Sequence, residues 1–499
     1  MQLIIFIPLL IAGFLTTPNT VLFYDLPEYL NIISTHTFWQ VFTLGHFPIH
    51  PVFLGILWIA TKFIPANFSA LIFGIISVFI FYKIAKIIFN KGPFWLSALI
   101  FSLLPGVWLL NTNLLVESLA LTLYLLAIYL FLRKAKKLFF LAIILLIGTH
   151  LESIVWIPTI FLLPIIFKKE LKFRREDYLQ FIKISLISAF LAGLFYVIVY
   201  LFIREGSGEF NIQVNYFTSF GILRMIRNIW FSFINNFGSL TPFLIGLLII
   251  KNAKSKSEWI AWLIFIAAIS LPGSYWEGGL MMRRIIFAGV IISLALYKYL
   301  GKKAVFLILF LLPITGFNAA LYYKYQPSMP LASMQKRIDK LPISQVLVQS
   351  HYYYPFTRYE GSVLWLESDD LSQIKTYLEK GTRIFLTKES VTAPYLLVVG
   401  NNYHITSLTK TGNSEARKLF ETYKVESYNG SFELKLPGTK VISENAGSPV
   451  IFYESSLDRL SRMRINYGDI GVWIYSLVSG HKDAIGWTYK DATGAWVWP

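Results

Sequence analysis

The stretch FSALIFGIISVFIFYKIAKIIF, residues 68–89, decides the kind of fold that this chain adopts. It is almost wholly apolar, and its only charged residues, Lys83 and Lys86, stand near its end. A helix needs about 20 predominantly apolar residues to cross the hydrocarbon core of a bilayer. Residues 68–89 therefore predict a membrane-spanning helix that ends beside a basic loop.

The composition of the whole chain extends this prediction. The 499 residues are 55% hydrophobic and 15% charged, with a mean hydropathy of +0.57, whereas soluble domains average about 25% charged residues. We therefore predict a polytopic α-helical membrane protein with about eleven spans. The predicted spans are 3–23, 68–89, 94–110, 114–132, 138–149 and 151–167 as a short pair, 180–203, 230–250, 258–273, 283–298 and 303–323.

Short basic clusters between the apolar runs set the predicted orientation. The net charge is +17, but the clustering is typical of cytoplasmic loops rather than of a nucleic-acid surface, so no nucleic-acid partner is expected. The clusters are Lys83/Lys86/Lys91, Arg133/Lys134/Lys136/Lys137, Lys168/Lys169/Lys172/Arg174/Arg175, Lys251/Lys254/Lys256 and Lys298/Lys302/Lys303. The positive-inside rule then gives a multi-pass protein of the cell membrane with a cytoplasmic N-terminus.

The apolar segment 49–64 does not fit this topology as a full span. With the basic clusters inside, it becomes an outer juxtamembrane helix, re-entrant or lying on the surface, that starts at His50-Pro51. The same topology places the turn at His150 outside, together with everything that follows the last span. We therefore expect an extracytoplasmic C-terminal region.

A change in composition near residue 325 predicts two domains. Residues 1–325 form the membrane domain, and residues 326–499 alternate short apolar and polar runs. The runs at 346–348 and 383–386 are typical of buried strands, and residues 370–379 between them are typical of a helix. This β-α-β pattern predicts a small α/β domain outside the membrane.

Polar residues of the membrane domain gather on its predicted outer face. Ionisable groups near membrane helices are costly and by default suggest function. Carboxylates there could act as a base, and arginines could grip a phosphate through paired hydrogen bonds. The set comprises Asp25, Glu28, His46, His50, Asn111, Asn113, Glu117, His150, Glu152, Tyr275, Trp276, Glu277, Arg283 and Arg284.

Structural roles compete with functional ones at several of these positions. Asp25 could cap a helix, since Asp-Leu-Pro-Glu resembles a helix start. Glu117 could interact favourably with the dipole at the start of a helix, and Arg283 with Arg284 could anchor the chain at lipid headgroups. His46 and His50 are four residues apart, but Pro48 between them argues against a helical metal pair. The chain has no cysteine, which excludes a disulfide and a thiolate nucleophile.

Five short motifs follow one another along residues 1–325. They are Asp25-x-x-x-Tyr29, His46-Phe-Pro-Ile-His50-Pro51, the basic end Phe81–Phe89, Asn113-Leu-Leu-Val-Glu117-Ser118 and Thr149-His150. Their order, which is more specific than any one of them, resembles the glycosyltransferase C superfamily, near its aminoarabinose transferase and protein O-mannosyltransferase branch. The chain departs from the family pattern where Ile49-His50-Pro51 replaces a paired proline.

The resemblance implies an inverting glycosyltransferase that moves a sugar from a polyprenyl-phosphate donor to an acceptor hydroxyl on the outer face. Asp25 would be the general base, with Glu28 as a second candidate, and Arg283 or Arg284 would hold the donor phosphate. No cofactor is required, although a divalent cation is compatible with the acidic loop. The expected partners are the lipid bilayer, the lipid-linked sugar, and a glycolipid, polysaccharide or protein acceptor. The remaining residues assigned to substrate binding are Tyr29, His46, His50, Asn113, Glu117, His150 and Glu152.

Three other functions compete with this interpretation. A transporter or lipid flippase would carry its polar residues near the bilayer midplane, often in repeated halves. A glycan polymerase or ligase would use a diphosphate-linked donor. A large outer loop with several arginines would favour it, and Arg204, Arg224 and Arg227 are compatible with such a loop. A membrane-anchored glycan-binding protein would use tryptophans of the C-terminal region for stacking on sugars.

Overall fold

The computed structural model divides the chain into two compact units. The first comprises residues 1–18, 32–319 and 467–470, and the second comprises residues 19–31, 320–466 and 471–499. The structure describes residues 2–16, 26–45, 49–112, 114–168, 170–171, 173–203, 241–253, 255–275, 286–313, 346–349, 361–365, 373, 376–377, 380, 384–386, 424–428, 431–435, 489–490 and 496–497.

Helices make up nearly all of the described part of the first unit. The α-helices are α1 (Ile7–Thr16), α2 (Leu26–Thr35, at the division between the units), α3 (Pro51–Ala60), α4 (Ala66–Phe89), α5 (Trp95–Leu103), α6 (Pro105–Thr112), α7 (Val116–Leu132), α8 (Lys136–Thr149), α9 (Ile157–Ile160), α10 (Leu163–Ile166), α11 (Arg175–Ile198), α12 (Thr241–Asn252), α13 (Lys256–Tyr275) and α14 (Ala288–Leu300). Residues 304–313 are also helical. Short 3-10 turns occur at Gln2–Phe6, Gln40–Phe42, Leu151–Val155 and Gly301–Lys303, and a π-helical turn occurs at Val199–Ile203.

Two of the described helices are long and apolar enough to cross a membrane, over Phe68–Phe89 and Arg175–Leu201. Their outer surfaces are apolar as well, because α11 exposes Leu186, Phe190 and Leu194. Large exposed apolar surfaces are unfavourable in water and typical of lipid contact. The mostly helical architecture agrees with the predicted class, whereas the number of spans stays a prediction.

Prolines divide two of the predicted spans. The expected span at 94–110 is two helices, α5 and α6, and the second begins at Pro105. The expected span at 151–167 is a 3-10 turn followed by α9 and α10, with Pro158 and Pro164 in their first turns. Proline lacks a backbone N–H and clashes with the preceding turn, so it favours the start of a helix over its interior.

The helix predicted at 49–64 is present and shorter than expected. It runs over Pro51–Ala60, with His50 as the preceding cap residue, so the predicted start at His50-Pro51 is confirmed. Ten residues give a helix about 15 Å long, half the thickness of a bilayer core. Such a helix is too short to cross a membrane alone.

Helices α4 and α7 are joined by buried hydroxyl groups. The hydroxyls of Ser77 and Thr122 lie 2.8 Å apart, and the Thr122 hydroxyl also lies 3.2 Å from the carbonyl oxygen of Phe73. Small hydroxyl residues let apolar helices approach closely and bond across the interface. These contacts hold α7 in a fixed register against α4.

Several of the basic clusters meet at one end of the first unit. Lys134, just after α7, forms a salt bridge of 2.7 Å with Asp177 at the start of α11. Lys298, near the end of α14, lies 3.3 Å from Glu258 and donates to the carbonyl oxygen of Ile166. Glu117 lies at the opposite end of α7 from Lys134. The basic ends and the candidate site are therefore separated by the length of a helix.

The described part of the second unit contains two sheets. The strands are β1 (Val346–Gln349), β2 (Ser362–Trp365), β3 (Ile384–Leu386), β4 (Lys424–Tyr428), β5 (Ser431–Lys435), β6 (Tyr489–Lys490) and β7 (Trp496–Val497). The larger sheet has the order β2-β1-β3-β5-β4, and β6 pairs with β7.

The two strands predicted in the C-terminal region are neighbours in the larger sheet. They are β1 and β3, which pair in parallel with Val346 opposite Ile384. Parallel neighbours require a crossover connection, and the described residues of the predicted helix, Gln373, Thr376 and Tyr377, are helical. Sequence reasoning missed the hairpin of β4 and β5, which are antiparallel and separated by Asn429-Gly430. Asn-Gly is a strong hairpin signal.

Glycine permits the close approach of α3 to the end of α8. A Cβ atom built on Gly148 would lie 2.7 Å from Cγ2 of Val52. Real Cβ atoms do not approach that closely, so Gly148→Ala should force α3 away from α8 and cost about 1–3 kcal/mol. Thermal unfolding of the detergent-solubilised protein measures this loss.

Two further variants make this test specific. Gly193 on α11 has open space around its Cβ position, so Gly193→Ala should leave the unfolding temperature unchanged or raise it. The double variant Gly148→Ala/Val52→Ala should recover most of the lost stability, because it removes the clashing methyl group. Equal unfolding temperatures for Gly148→Ala and Gly193→Ala would contradict the proposed contact.

Candidate functional site

Three chain segments of the first unit meet in a buried polar cluster. The start of α3 supplies His50, the first turn of α7 supplies Glu117, and the residue after α8 is His150. Their exposed fractions are 5%, 2% and 4%, respectively. Charged and polar groups are seldom buried to this degree unless they are paired. We refer to these three residues as the Glu117 cluster.

The ring of His50 is fixed by a backbone carbonyl. Its Nδ1 atom lies 3.0 Å from the carbonyl oxygen of Thr149, at the end of α8. A carbonyl oxygen accepts hydrogen bonds and has none to donate, so Nδ1 carries the proton in this contact. The interaction fixes both the tautomer and the ring orientation of a neutral His50.

His150 connects His50 to the carboxylate. The two imidazole rings are stacked, with centroids 5.6 Å apart and an angle of 4° between their planes. On the other side, Nε2 of His150 lies 3.9 Å from Oε1 of Glu117. This separation is within ion-pair range and longer than a direct hydrogen bond. An imidazolium at His150 would compensate the charge of the buried carboxylate.

Glu117 lies where a helix start favours negative charge. It is in the first turn of α7, where unsatisfied backbone N–H groups give the helix end a partial positive charge. The structural role considered for Glu117 from sequence is therefore fulfilled. The same position also brings its carboxylate to the two histidines.

Sequence reasoning missed Tyr196, which belongs to the junction between the start of α3 and the end of α8. The hydroxyl of Tyr196, on α11, lies 2.9 Å from the carbonyl oxygen of Ile147 and 3.3 Å from that of Ile49. Thr149 contributes its carbonyl to His50. No signal in the sequence marks Tyr196 among the many tyrosines of apolar segments, because its partners are backbone atoms distant along the chain.

The other predicted site residues divide into described and undescribed positions. Glu152 lies half-buried in the 3-10 turn that follows His150, and Tyr29 is buried on α2. Glu28 lies in the first turn of α2, and its side chain lies outside the described part. Asp25, His46, Asn113, Arg283 and Arg284 also lie outside the described residues.

Among the described residues, no group of three or more His, Asp or Glu side chains is placed to hold a metal ion. The stacked arrangement of His50 and His150 gives a reason. Parallel rings do not direct their nitrogen lone pairs towards one point, as tetrahedral metal coordination requires. A cation held by Asp25 or Glu28 stays a prediction, because these carboxylates lie outside the described side chains.

Comparison with solved structures shows which known fold this chain adopts. The crystal structure of ArnT from Cupriavidus metallidurans in the apo state covers 78% of this chain and 93% of its own, with a TM-score of 0.51 and 12% identity. The structure of the same protein bound to undecaprenyl phosphate covers 86% of this chain and 96% of its own, with a TM-score of 0.50 and 12% identity. The chain has the fold of ArnT.

The predicted resemblance is therefore confirmed for the fold, which is what a likeness at 12% identity shows. No protein-family model matches the sequence, and no curated protein matches it either. At 12% identity to ArnT, the arrangement of elements is shared, while most side chains differ. The chemistry of this chain must be argued from its own residues.

The Tyr196 hydroxyl gives a direct test of the junction. Tyr196→Phe removes the only side-chain donor shown for the Ile147 carbonyl in the described part of the chain. Loss of a buried hydrogen bond should cost about 1–3 kcal/mol, measured by thermal unfolding in detergent. Tyr129→Phe on α7 is the control, because the structure shows no hydrogen bond from that hydroxyl to a described residue. Similar losses of stability in both variants would show that the Tyr196 hydrogen bonds do not stabilise the protein.

Proposed function

We propose that this chain is an integral-membrane glycosyltransferase that moves a sugar from a polyprenyl-phosphate donor to an acceptor hydroxyl. The observation that carries the proposal is the shared fold with ArnT, which has been crystallised with undecaprenyl phosphate bound. The Glu117 cluster supports it, because a buried carboxylate and two imidazoles stand at the end of α7 opposite the basic cluster at Lys134. The proposed location is the outer face of the cell membrane.

The reaction requires one base and one site for the leaving phosphate. The base takes the proton from the acceptor hydroxyl, and the oxygen attacks the anomeric carbon from the face opposite the phosphate. The bond between that carbon and the phosphate oxygen then breaks, and the polyprenyl phosphate leaves with the electron pair. Attack from the opposite face inverts the configuration at the anomeric carbon. Proton removal and compensation of the phosphate charge are both tasks for positioned side chains.

The residues proposed for these tasks are those that the sequence motifs suggest. Asp25 is the proposed base, and Glu28 is the alternative. Arg283 and Arg284 are proposed to hold the phosphate, since a guanidinium matches two phosphate oxygens at once. Contacts to donor or acceptor are proposed for four more residues, Tyr29, His46, Asn113 and Glu152.

Two other functions remain distinguishable by the identity of the donor. A glycan polymerase or ligase would consume a diphosphate-linked sugar, and a flippase would move the lipid without breaking the sugar-phosphate bond. Purified protein in vesicles should be offered labelled undecaprenyl monophosphate sugars and the matching diphosphates, with a total lipid extract as acceptor. Transfer from the monophosphate alone is expected. Transfer from the diphosphate alone, or transbilayer movement without transfer, would replace the proposed function.

A matched pair of variants assigns the base. Asp25→Asn keeps the size of the side chain and removes the proton acceptor, so turnover should fall about 10²- to 10⁴-fold. Glu28→Gln makes the same chemical change three residues later and should reduce turnover far less. The measurement is the initial rate of sugar transfer at saturating donor. The reverse order of the two variants would make Glu28 the base, and unchanged rates in both would remove this loop from catalysis.

The arginine pair is tested through the donor dependence of the rate. Each charge-assisted hydrogen bond contributes about 1.5–3 kcal/mol. Arg283→Ala and Arg284→Ala should therefore raise the KM for the donor about tenfold to a hundredfold. Lysine substitutions should be milder, because they keep the charge and lose the paired geometry. Lys302→Ala, at the end where the basic clusters gather, is the control and should leave the donor KM unchanged. A donor KM that is insensitive to both arginines would place the phosphate elsewhere.

A further inference from the structure

The Glu117 cluster presents two buried imidazoles that contact their neighbours through different ring nitrogens. His50 uses Nδ1 towards the carbonyl oxygen of Thr149, and His150 turns Nε2 towards Glu117. The two rings are parallel and in contact range. The position of each ring is therefore tied to a different structural element, and each ring supports the other.

The two histidines face different kinds of partner. His150 faces the carboxylate of Glu117, whereas His50 faces a carbonyl oxygen. A buried carboxylate is costly unless it is paired, and a buried imidazole N–H is costly unless it is hydrogen-bonded. Both histidines are therefore engaged in holding the chain in place.

The cluster includes a residue that is close in sequence to another candidate site residue. His50 is the cap residue of α3, and His46 lies four residues before it in the chain. Two further contacts hold the start of α3 in place. Val52 lies close to Gly148, and the hydroxyl of Tyr196 contacts the carbonyl oxygen of Ile49. The three residues of the cluster are almost fully buried, and their described contacts are with one another and with the backbone at the end of α8.

We propose that His50 and His150 are positioning residues, which act through Nδ1 and Nε2, respectively, to fix the chain segment that enters α3. This inference rests on the proposed sugar transfer for its kinetic test, and it assigns these residues a role other than substrate contact. Misplacement of a reacting group by about 1 Å can cost a hundredfold in rate. Loosening of the junction should therefore lower kcat and leave the donor KM nearly unchanged.

Asparagine and glutamine substitutions test the roles of the two ring nitrogens of a histidine separately. The side-chain N–H of asparagine can replace Nδ1–H, and that of glutamine extends to the position of Nε2. His50→Asn should therefore turn over at least tenfold faster than His50→Gln. The order should reverse at the second position, where His150→Gln should exceed His150→Asn by a similar factor. Glu117→Gln combined with His150→Asn should be no slower than the slower of the two single variants, because both single changes remove the same interaction.

The kinetic pattern distinguishes positioning from other roles. The expected result is this crossed order in kcat, at a constant donor KM in all four histidine variants. A donor or acceptor KM raised tenfold in these variants would show substrate contact and overturn the proposal. Equal losses in all four, with intact folding, would show that the imidazole itself is required, which also overturns it.

A spectroscopic test works without any activity. The chain has no cysteine, so a single cysteine takes a nitroxide label selectively. Thr43→Cys reports on the segment before α3, and Leu186→Cys on the exposed face of α11 is the control. The mismatched variants His50→Gln and His150→Asn should mobilise the label at residue 43 alone. Equal mobility at residue 43 in all four backgrounds would overturn the proposal.

The experiments distinguish a failure of the proposed sugar transfer from a failure of the positioning role. If the wild-type protein transfers no sugar from an undecaprenyl monophosphate donor, the proposed function fails and the label mobility still decides the positioning role. If the mismatched variants do not fold, the double variant His50→Asn/His150→Gln decides it. That variant should keep the wild-type mobility at residue 43, and a mobile label there would overturn the proposal.

Discussion

The first unit depends on how closely the start of α3 approaches the end of α8. A helix of ten residues is marginal in isolation, and α3 is held by the burial of Phe53, Leu54 and Leu57 together with specific contacts at its start. Gly148 supplies the space for Val52, and the Thr149 carbonyl accepts the His50 proton. Tyr196 then bonds carbonyl oxygens on both sides of the contact. Backbone groups freed at a helix end thus become the attachment points for the next element.

This attachment brings charge into the protein interior, and the surrounding architecture makes that charge tolerable. Glu117 occupies the start of α7, where the helix end favours an anion, and His150 faces it from the end of α8. At the other end of the same helices, Lys134 and Asp177 pair at the surface. Exposed pairs of this kind contribute little stability, whereas removing one partner of a buried pair is costly. The unit is therefore more sensitive to substitution at the Glu117 end.

Hydrophobic patterning in the sequence predicted the helical class, the helix start at His50-Pro51 and the two parallel strands, because these follow from local periodicity and proline chemistry. Sequence reasoning missed some signals that the chain does contain. Prolines mark the helix breaks at Pro105, Pro158 and Pro164, and an Asn-Gly dipeptide marks the hairpin at Asn429-Gly430. The meeting of His50, Glu117 and His150 was predicted only as a shared outer face. Their ring orientations and the role of Tyr196 depend on backbone carbonyls, which have no signature in sequence.

The shared fold with ArnT at 12% identity separates two kinds of constraint on this chain. Helix order and packing tolerate almost any apolar side chain of suitable volume, so they persist while the sequence changes. A buried carboxylate beside two imidazoles has no such freedom, because each substitution leaves a partner uncompensated in a medium that solvates charge poorly. Apolar surroundings alone would favour replacing the cluster by hydrophobic residues of equal size, which is often neutral or stabilising. That the chain carries Glu117 and both histidines at this junction is therefore better explained by the proposed need for fixed orientation than by stability.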